Sequence, residues 1–430
     1  MNEHLSKGYI VEVDKWSFNS GGVCWYIPHH PVINPKKPEK LRIVFDCAAK
    51  YQDLSLNEQL LRGPNTVNSL IGVLLRFRLG RIALAADIEE MFLQVRIPEG
   101  DRGAFRLLWW KDGDTEQEVT EYCLTVNPFG AVSSPFCANF ALRKTVDMFC
   151  EDTMGDIRRV LDKNFYVDDY LTSTDSIHDA VTLAEQRGSI LKMERADTVK
   201  SIDFEKLPIE RTLGLFWNTM NDSFTSRVNI PERTVTRRSI LSSIASLYDP
   251  LGLLAPVILP AKQLLQRLCK LGLEWNVKIS EDERTRWFEF LNDMQQVENI
   301  FFPRCMLAPD MDHSLIELHI FSDASEVGYG LVAYSRCYVA GEEAYCQLIS
   351  AKARVEPLKV QTIPHLELTA AVLAARIGSR LQVNQWRYVP SKQNVADYVS
   401  RGVLFSEDDI KIRSEGPGFL KRSKGFWPPT

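Results

Sequence analysis

Short strand-like runs alternate with helical patterns over the first 220 residues of the chain. Apolar positions that recur every three or four residues indicate helices, whereas compact β-branched and aromatic runs bounded by turn residues indicate strands. Six strands are predicted, at residues 41–45, 82–88, 104–110, 122–126, 164–167 and 212–217. Three helices are predicted, at residues 67–78, 134–149 and 177–193. This mixture predicts an α+β domain.

The pattern changes after about residue 231. Helical periodicity dominates first, and predicts helices at residues 240–247, 261–271 and 282–294. The apolar run before the second of these, 251–261, contains two prolines and predicts a packed loop or helix entrance. A second strand-rich segment follows, with strands predicted at residues 316–321, 329–335, 345–351 and 385–389 and a helix at 366–381. A new α/β domain is therefore predicted from about residue 313, with a loosely packed tail after Gly402.

The length and composition favour several globular domains with real cores, because 45% of the 430 residues are hydrophobic and 25% are charged. The formal net charge of −5 excludes a protein that coats nucleic acid by bulk charge. A polyanionic partner would have to meet local basic groups. The candidates are Arg76, Arg78 and Arg81, and Arg233, Arg237 and Arg238, for each of which a solvated helix face is the alternative interpretation.

The sequence contains no signal peptide pattern, and its longest apolar run is about half a membrane span. The nine cysteines are scattered and odd in number, which argues against a disulfide framework. We therefore expect a cytoplasmic protein in a reducing compartment, with no membrane partner.

Two adjacent carboxylates, Asp168 and Asp169, interrupt a strand-like run of aromatic and apolar residues at 165–170. Neighbouring strand residues point to opposite faces, so both acids can serve one site only from a tight turn. A hairpin with both acids at its tip is therefore predicted. The alternative is an ordinary exposed turn, since Asp is a common turn residue.

A third carboxylate, Asp87, closes the apolar run 82–86, where a surface charge is unexpected. It could instead cap a following helix by accepting from backbone amides. Together with Asp168 and Asp169 it would supply the hard oxygen ligands that magnesium prefers. Two such ions can activate a 3′-hydroxyl and stabilise a leaving pyrophosphate in phosphoryl transfer.

Around these acids the sequence resembles the reverse transcriptases of long-terminal-repeat retrotransposons, specifically the Bel/Pao type. The resemblance covers about residues 20–425. It rests on ordered motifs, among them Arg-Ile-Val-Phe-Asp-Cys-Ala-Ala-Lys at 42–50, Asn-Pro-Phe-Gly-Ala-Val-Ser-Ser-Pro-Phe at 127–136, Tyr-Val-Asp-Asp at 166–169, Leu-Gly-Leu-Phe-Trp at 213–217 and Leu-Tyr-Asp-Pro-Leu-Gly at 247–252.

The resemblance implies an α+β right-hand polymerase followed by a shortened ribonuclease H-like α/β domain. The implied regions are an N-terminal extension at 1–19, fingers and palm at 20–225, a helical thumb or connection at 226–312, the ribonuclease H-like domain at 313–402 and a C-terminal tail at 403–430. The implied activity is RNA- and DNA-directed DNA synthesis. Its partners would be an RNA template, a DNA primer and deoxynucleoside triphosphates, in the cytoplasm or in a retroelement particle.

The resemblance also assigns site residues. Asp87, Asp168 and Asp169 match the acids that hold two magnesium ions, or manganese. Arg42, with Lys36 or Lys37, matches the fingers residues that clamp the triphosphate, as cations should for a polyanion. Three further residues are assigned to nucleotide or template binding: Phe92, Phe129 and Gly130.

Phe92 falls at the aromatic steric gate against the ribose 2′-hydroxyl, with a core Phe as the alternative. Phe129 stands where retroviral relatives have Gln, so the nucleotide contact at this position is open. The strand-like run 213–217 resembles the primer grip, with plain core as the alternative.

Asp323, Glu367 and Asp397 match three of the four metal-binding carboxylates of a ribonuclease H domain. The fourth, normally a strand Asp between the last two, has no counterpart, because only 397 − 367 = 30 positions separate them. A strand-helix unit is therefore expected to be missing and ribonuclease H activity to be doubtful. Each acid also has a structural alternative. Asp323 could be a strand-end turn residue and Asp397 a loop acid. Glu367 could be an exposed residue in the first turn of a helix, where the helix dipole favours an acid.

Two rival functions remain open at this stage. The chain could be a catalytically silent retroelement remnant with only a nucleic-acid-binding or structural role. It could also be another palm enzyme, such as an RNA-directed RNA polymerase, against which the Phe92 gate speaks. The family's aspartic protease and integrase do not fit in this chain, so we expect a fragment or a decayed copy.

Overall fold

A computed structural model describes residues 1–13, 23–34, 37–149, 158, 162–192, 209–228, 234–307, 316–338, 343–378, 385–402 and 413–428. The predictions for Lys36, for the side chain of Lys37 and for Arg233 lie outside the described residues. No helix in the described part of the chain is long and apolar enough to cross a lipid bilayer.

The strands of the described residues are numbered in chain order. They are β1 (Ile10–Glu12), β2 (His29–Asn34), β3 (Lys37–Phe45), β4 (Lys50–Tyr51), β5 (Leu54–Ser55), β6 (Ile82–Asp87), β7 (Arg106–Trp110), β8 (Val119–Leu124), β9 (Phe165–Tyr166), β10 (Asp169–Thr174), β11 (Ile209–Thr212), β12 (Leu215–Asn218), β13 (Ser223–Thr225), β14 (Phe302–Pro303), β15 (Ile316–Ala324), β16 (Gly328–Cys337) and β17 (Tyr345–Val355).

The helices with described bounds are α1 (Asn2–Ser6), α2 (Leu56–Gln59), α3 (Leu70–Phe77), α4 (Ser134–Phe149), α5 (Ile177–Lys192), α6 (Arg237–Ser246), α7 (Ala255–Lys270), α8 (Glu281–Gln296), α9 (Ile363–Ile377) and α10 (Asp397–Arg401). Seven of the helices with described bounds overlap predicted positions, and the short helices α1, α2 and α10 were not predicted. Short 3-10 turns connect several of them, including Met91–Gln94 after β6.

The chain divides into two compact units. Unit 1 comprises residues 1–69, 85–171 and 181–199, and unit 2 comprises residues 70–84, 172–180 and 200–430. Strands β6 and β10 contribute residues to both units. Because the units interleave along the sequence, neither corresponds to one uninterrupted stretch of chain.

Unit 1 is built around the antiparallel sheet β1-β8-β7 and the hairpins β2-β3 and β4-β5. Its core joins the inward faces of these strands, with Ile10, Ile27, Phe45, Leu107 and Leu124 all at most 3% exposed. Burial of large aliphatic and aromatic side chains of this kind contributes about 1.5 to 3 kcal/mol each. This core holds strands β1, β3, β7 and β8 together within unit 1.

Unit 2 contains the antiparallel sheets β11-β12-β13-β14 and β15-β16-β17. Helix α9 packs its buried Leu366, Ala370 and Leu373 against β15 and β16, so a helix covers one face of this sheet. Helix α7 begins at Ala255, earlier than the predicted 261. Pro256 is tolerated in its first turn, where no backbone donor is needed.

The Leu-Tyr-Asp-Pro-Leu-Gly motif forms the turn before α7. The buried carboxylate of Asp249 accepts hydrogen bonds from the amides of Leu253 and Leu254, both at 2.8 Å. Gly252 has φ +72°, and a Cβ there would lie 1.7 Å from the carbonyl oxygen of Ala351 in β17. The amide of Ala351 donates to the carbonyl of Leu251 at 2.9 Å, so the motif fastens this turn to the sheet.

The strand predicted at residues 385–389 is wrong, because these residues join no sheet of the described chain. Trp386 and Tyr388 are 44% and 73% exposed, and no neighbouring strand supplies the ladder that a strand requires. Between Glu367 and Asp397 the described residues, 367–378 and 385–397, contain no strand.

The C-terminal segment is packed where it is described, contrary to the expected loose tail. Leu420 is 1% exposed, and its carbonyl accepts a hydrogen bond from buried Arg336 of β16 at 2.7 Å. Lys424 pairs with Glu317 of β15 at 2.8 Å. Composition misled here because the partners of this segment lie some 80 residues earlier in the chain.

Arg78 is fully buried, so it cannot follow a nucleic-acid backbone and its prediction is wrong. Its guanidinium donates to four backbone carbonyls of unit 2, those of Pro303, Arg304, Leu348 and Ile349. Of the later basic group, Arg237 lies over the Trp275 ring at 4.4 Å, whereas Arg238 is exposed.

Candidate active site

Asp87 is the last residue of β6, and the sheet order β6-β10-β9 places this strand beside the Asp168-Asp169 hairpin. The amide of Ile88, the next residue, donates to the carbonyl of Asp168 at 3.0 Å. A backbone bond therefore brings the strand end that carries Asp87 next to the hairpin turn. All three acids lie in unit 1.

The predicted hairpin is confirmed in its pairing and modified at its tip. Asp169 pairs with Tyr166 and Tyr170 pairs with Phe165, so Val167 and Asp168 form a two-residue turn and Asp169 begins β10. Val167 has φ +59°, a left-handed conformation that is unusual for a β-branched residue and costs about 1 to 3 kcal/mol. Strained backbone of this kind clusters at functional sites.

The electrostatics of the hairpin are those of crowded like charges. Partial burial, together with the neighbouring Asp168 and Asp87 carboxylates, raises the pKa of Asp169 from its ordinary value to about 6. The helix-cap alternative for Asp87 is not supported, because the 3-10 turn begins at Met91 with Glu90 at its cap position. Asp87 itself is exposed.

The donor set fits magnesium in its chemistry. Among the described residues no three His, Cys, Asp or Glu side chains lie close enough together to hold a metal ion by themselves. Magnesium is usually held by only one or two carboxylates together with water and substrate phosphates, so a closed cage is not required. Burial and, after it, the neighbouring carboxylates raise the pKa of Asp169, so a bound cation would favour its ionised form.

Phe92 and Phe129, both assigned to the nucleotide site, lie together. Their ring centroids are 5.5 Å apart with an interplanar angle of 79°, an edge-to-face contact. Phe92 is half-buried in the 3-10 turn after β6, whereas Phe129 is 68% exposed. The half-buried ring of Phe92 therefore contacts an exposed ring at the protein surface.

Asn57 fastens the Phe129 loop, a role that the sequence did not reveal. Its Nδ2 donates to the carbonyl of Gly130 at 3.1 Å, and its Oδ1 accepts from the amide of Val132 at 2.8 Å. Gly130 has φ +123°, and a Cβ there would lie 2.4 Å from the carbonyl oxygen of Phe45. In the sequence, Asn57 belongs only to a Ser-Leu-Asn run at 55–57 that resembles the same retroelement family and to which no role was assigned.

Arg42 and the predicted primer grip at residues 213–217 lie in different environments. Arg42 lies opposite Val32 in the β2-β3 hairpin and is exposed, as a triphosphate contact requires. In the primer-grip resemblance, Leu213 and Gly214 form the tight turn between β11 and β12, both with positive φ. Trp217 is buried and donates to Asp222 at 2.9 Å, so core packing accounts for this residue.

A second acidic group lies in unit 2. Asp323 ends β15, and its two carboxylate oxygens accept from Ser400 Oγ at 2.5 Å and Asn394 Nδ2 at 3.4 Å. Burial raises its pKa; the Ser400 hydrogen bond opposes this, while the charges of Asp397 and Glu367 reinforce it. The predicted set is thus brought within electrostatic range, although Asp397 also pairs with Arg401 at 2.5 Å.

Known proteins resemble this chain both in sequence family and in fold. Residues 236–394 match the family model described as Pao retrotransposon-like RNaseH-like domain. The foamy viral protease-reverse transcriptase in complex with RNA/DNA hybrid is similar over 95% of this chain and 50% of its own, with a TM-score of 0.58 and 15% identity. The same viral protein in a dRH form with double-stranded DNA covers 91% of this chain and 63% of its own, with a TM-score of 0.55 and 14% identity.

The chain therefore has a reverse transcriptase-like fold and spans about half to two thirds of the length of these viral proteins. A search of curated proteins gives no significant match. The family match over residues 236–394 and the fold similarity over most of the chain both point to retroelement proteins. Both findings support the resemblance to a Bel/Pao-type retroelement polyprotein, the family model over residues 236–394 and the viral structures at the level of fold.

Proposed function

We propose that this protein is an RNA- and DNA-directed DNA polymerase of a retrotransposon, with Asp87, Asp168 and Asp169 as its catalytic acids. The observation that carries the proposal is the hydrogen bond from the Ile88 amide to the Asp168 carbonyl, which sets the Asp87 strand end beside the acidic hairpin. A similar fold in a viral reverse transcriptase supports the proposal at the level of architecture.

The three carboxylates would hold magnesium together with the substrate phosphates. Magnesium bound there would stabilise both the attacking 3′-oxygen and the leaving pyrophosphate oxygen. The rigid two-residue turn fixes Asp168 relative to Asp169, so that little reorganisation of the ligands is needed when substrate binds. Manganese has the same preference for oxygen ligands and would substitute.

The incoming deoxynucleotide would be bound by two groups of unit 1. Phe92 would lie under the sugar and exclude a 2′-hydroxyl by steric contact, with Phe129 packed against its ring. Arg42 would contact the triphosphate, since its guanidinium is exposed and always charged. The loop fastened by Asn57 would keep Phe129 and Gly130 in place.

The proposal is tested by primer extension on RNA and DNA templates with magnesium and deoxynucleotides. Asp169→Asn should abolish extension while the protein remains folded, because the loss of one ligand removes several kcal/mol of charge stabilisation. Asp53→Asn is the matched control: Asp53 is an exposed acid of unit 1 in a left-handed turn, where Asn is well tolerated. A parent protein that folds but does not extend would instead support the silent remnant.

A further inference from the structure

Residues 7–10 precede the region that resembles a reverse transcriptase, yet they are packed into unit 1. Ile10 begins β1, which pairs with β8. The amide of Thr125 donates to the carbonyl of Tyr9 at 2.9 Å, and its hydroxyl donates to the carbonyl of Gly8 at 2.6 Å. Tyr9 itself is 1% exposed. This N-terminal segment, residues 7–10, is therefore held at a fixed place beside the sheet.

Glu90 lies in the stretch of chain that connects Asp87 to Phe92. Its φ is +53°, in the left-handed region that residues other than glycine rarely adopt. It also occupies the cap position of the 3-10 turn, where its carbonyl accepts from the amide of Leu93 at 2.7 Å. A backbone conformation of this kind persists only where the surrounding structure determines it. The direction in which the chain leaves β6 toward Phe92 therefore depends on what holds Glu90.

The N-terminal segment holds both carboxylate oxygens of Glu90. The Tyr9 hydroxyl donates to Oε2 at 2.7 Å, and Lys7 Nζ lies 3.0 Å from Oε1. Burial alone would raise the pKa of Glu90, but the hydrogen bonds from Tyr9 and Lys7 outweigh it and lower the pKa. The carboxylate therefore stays ionised at neutral pH and accepts charge-assisted hydrogen bonds, which are the strong ones.

The two contacts differ in how firmly they fix Glu90. Lys7 is exposed and is shared with Glu3 at 2.9 Å, so its ion pair with Glu90 contributes little. Tyr9 is buried, and only two side-chain torsions must be fixed to place its hydroxyl. Its ring also makes an edge-to-face contact with His4, with centroids 5.9 Å apart. Tyr9 is thus the main support of Glu90.

Asp87 has a support of its own. The amide of Ile88 donates to the carbonyl of Asp168, so the end of β6 stays beside the acidic hairpin without help from Glu90. Phe92, by contrast, lies in the 3-10 turn that Glu90 caps. Release of Glu90 should therefore move Phe92 and leave Asp87 in place.

We propose that Tyr9 and Glu90 are positioning residues that set the selectivity of the nucleotide site for deoxynucleotides over ribonucleotides. The Tyr9 hydroxyl holds Glu90 in its left-handed conformation, and this conformation directs the Phe92 ring toward the sugar. In this role neither Tyr9 nor Glu90 contacts the substrate. The inference rests on the proposed function, because it assigns the N-terminal segment to the same site.

The test measures kcat and KM for a deoxynucleotide and for the matching ribonucleotide in single-nucleotide extension by the full chain. Tyr9→Phe removes the hydroxyl and keeps the ring. It should raise the KM of the deoxynucleotide about fivefold and lower the preference over the ribonucleotide about fivefold, because a charge-assisted hydrogen bond is lost. The kcat for the deoxynucleotide should stay within about twofold, since Asp87 keeps its own support.

Tyr122→Phe is the matched control, because Tyr122 is a tyrosine of β8 that is 3% exposed and lies opposite Glu12 of β1. It should leave the sugar preference unchanged. Glu90→Gln can still accept from the Tyr9 hydroxyl and should keep most of the preference, whereas Glu90→Ala should lose as much as Tyr9→Phe. The double variant of Tyr9→Phe with Glu90→Ala should lose no more than either single variant, because both remove one interaction.

Hydrogen exchange of the Leu93 amide reports on the turn independently of activity, and it should be about fivefold faster in Tyr9→Phe than in the parent or in Tyr122→Phe. Parent-like exchange, or an unchanged sugar preference in an active Tyr9→Phe chain, would overturn this inference and leave the proposed function standing. So would a kcat that falls while KM and preference stay unchanged. A folded parent chain that does not extend a primer would reject the proposed function, and this inference with it.

Discussion

The half-buried ring of Phe92 meets the exposed ring of Phe129 edge-to-face, with centroids 5.5 Å apart. The two residues are 37 positions apart in the sequence and come from different loops, a 3-10 turn after β6 and the segment before α4. Their contact joins the assigned steric gate to the position where retroviral relatives have Gln. A substitution of either residue should therefore alter the selectivity between deoxynucleotides and ribonucleotides.

Phe92→Val should increase ribonucleotide relative to deoxynucleotide incorporation by about tenfold or more, because removal of the ring opens space for a 2′-hydroxyl. Extension rates with the two substrates would be compared on one template. An equal fall in both rates, accompanied by a loss of thermal stability, would support a core role for Phe92.

Phe129→Ala should produce a smaller shift in the same direction, because Phe92 loses the ring that supports it. Phe129 is 68% exposed, so its truncation should change the free energy of unfolding by only about 0.5 kcal/mol. The double variant should show non-additive effects on sugar selectivity. If the effects of the two substitutions on sugar selectivity were strictly additive, Phe92 and Phe129 would act independently and the account of their contact would be wrong.

Asp169→Asn should raise the thermal midpoint of the metal-free protein at pH 7.5 while it removes activity. Burial and two neighbouring acids raise the pKa of Asp169 to about 6, so its charged form destabilises the fold above that pH. The penalty is absent below the unfolded pKa of about 3.9, grows between that pH and about 6, and is constant above it. The stability gain of the variant should therefore vanish near pH 4.

The same linkage predicts the pH profile of extension. A ligand carboxylate must lose its proton before it binds a metal, so activity should rise through about pH 6. Higher magnesium concentrations should move this midpoint to lower pH. A midpoint that does not depend on magnesium would argue against Asp169 as a ligand.

Ribonuclease H activity should be absent or severely reduced even if the polymerase is active. Both carboxylate oxygens of Asp323 already accept hydrogen bonds, and no described strand supplies a further acid between Glu367 and Asp397. A labelled RNA·DNA hybrid incubated with magnesium or manganese provides the assay. Cleavage that disappears in Asp323→Asn would show that the three acids suffice.

Gly252→Ala should destabilise unit 2 by about 3 kcal/mol or more, because its Cβ would lie 1.7 Å from the Ala351 carbonyl oxygen at a strained φ. Gly272→Ala is the matched control, with φ +65° and no atom within 4 Å of the added carbon. Its cost should be about 1 to 2 kcal/mol, from the backbone alone. The free energy of unfolding of both variants is measured in urea. If both lost the same amount, the close approach to the Ala351 carbonyl would not be the cause of the loss in Gly252→Ala.

Local patterns predicted much of the fold. Helix α4 has the predicted bounds, 134–149, because its start and its apolar period are both encoded locally. The hairpin at Asp168 and Asp169 was also predictable, since two strand-like runs surround a short polar turn.

The failures concern partners that are distant in the sequence. Arg78 was predicted to face solvent, but four of its hydrogen-bond acceptors lie some 225 to 271 positions away. Residues 385–389 have strand composition, yet pairing depends on a neighbouring strand that their own sequence cannot supply. Asn57 lies in the short helix α2, and only the folded chain places it against Gly130.

The central claim is that Asp87, Asp168 and Asp169 act as one site, and a double-mutant cycle on single-nucleotide extension over an RNA template tests it most directly. Residues that act as a unit give strongly non-additive losses. Asp87→Asn and Asp169→Asn should each reduce the rate by about 10³-fold or more, and the double variant should be no slower than either. Losses that multiply in the double variant, or parent-like extension by either single variant, would contradict the account.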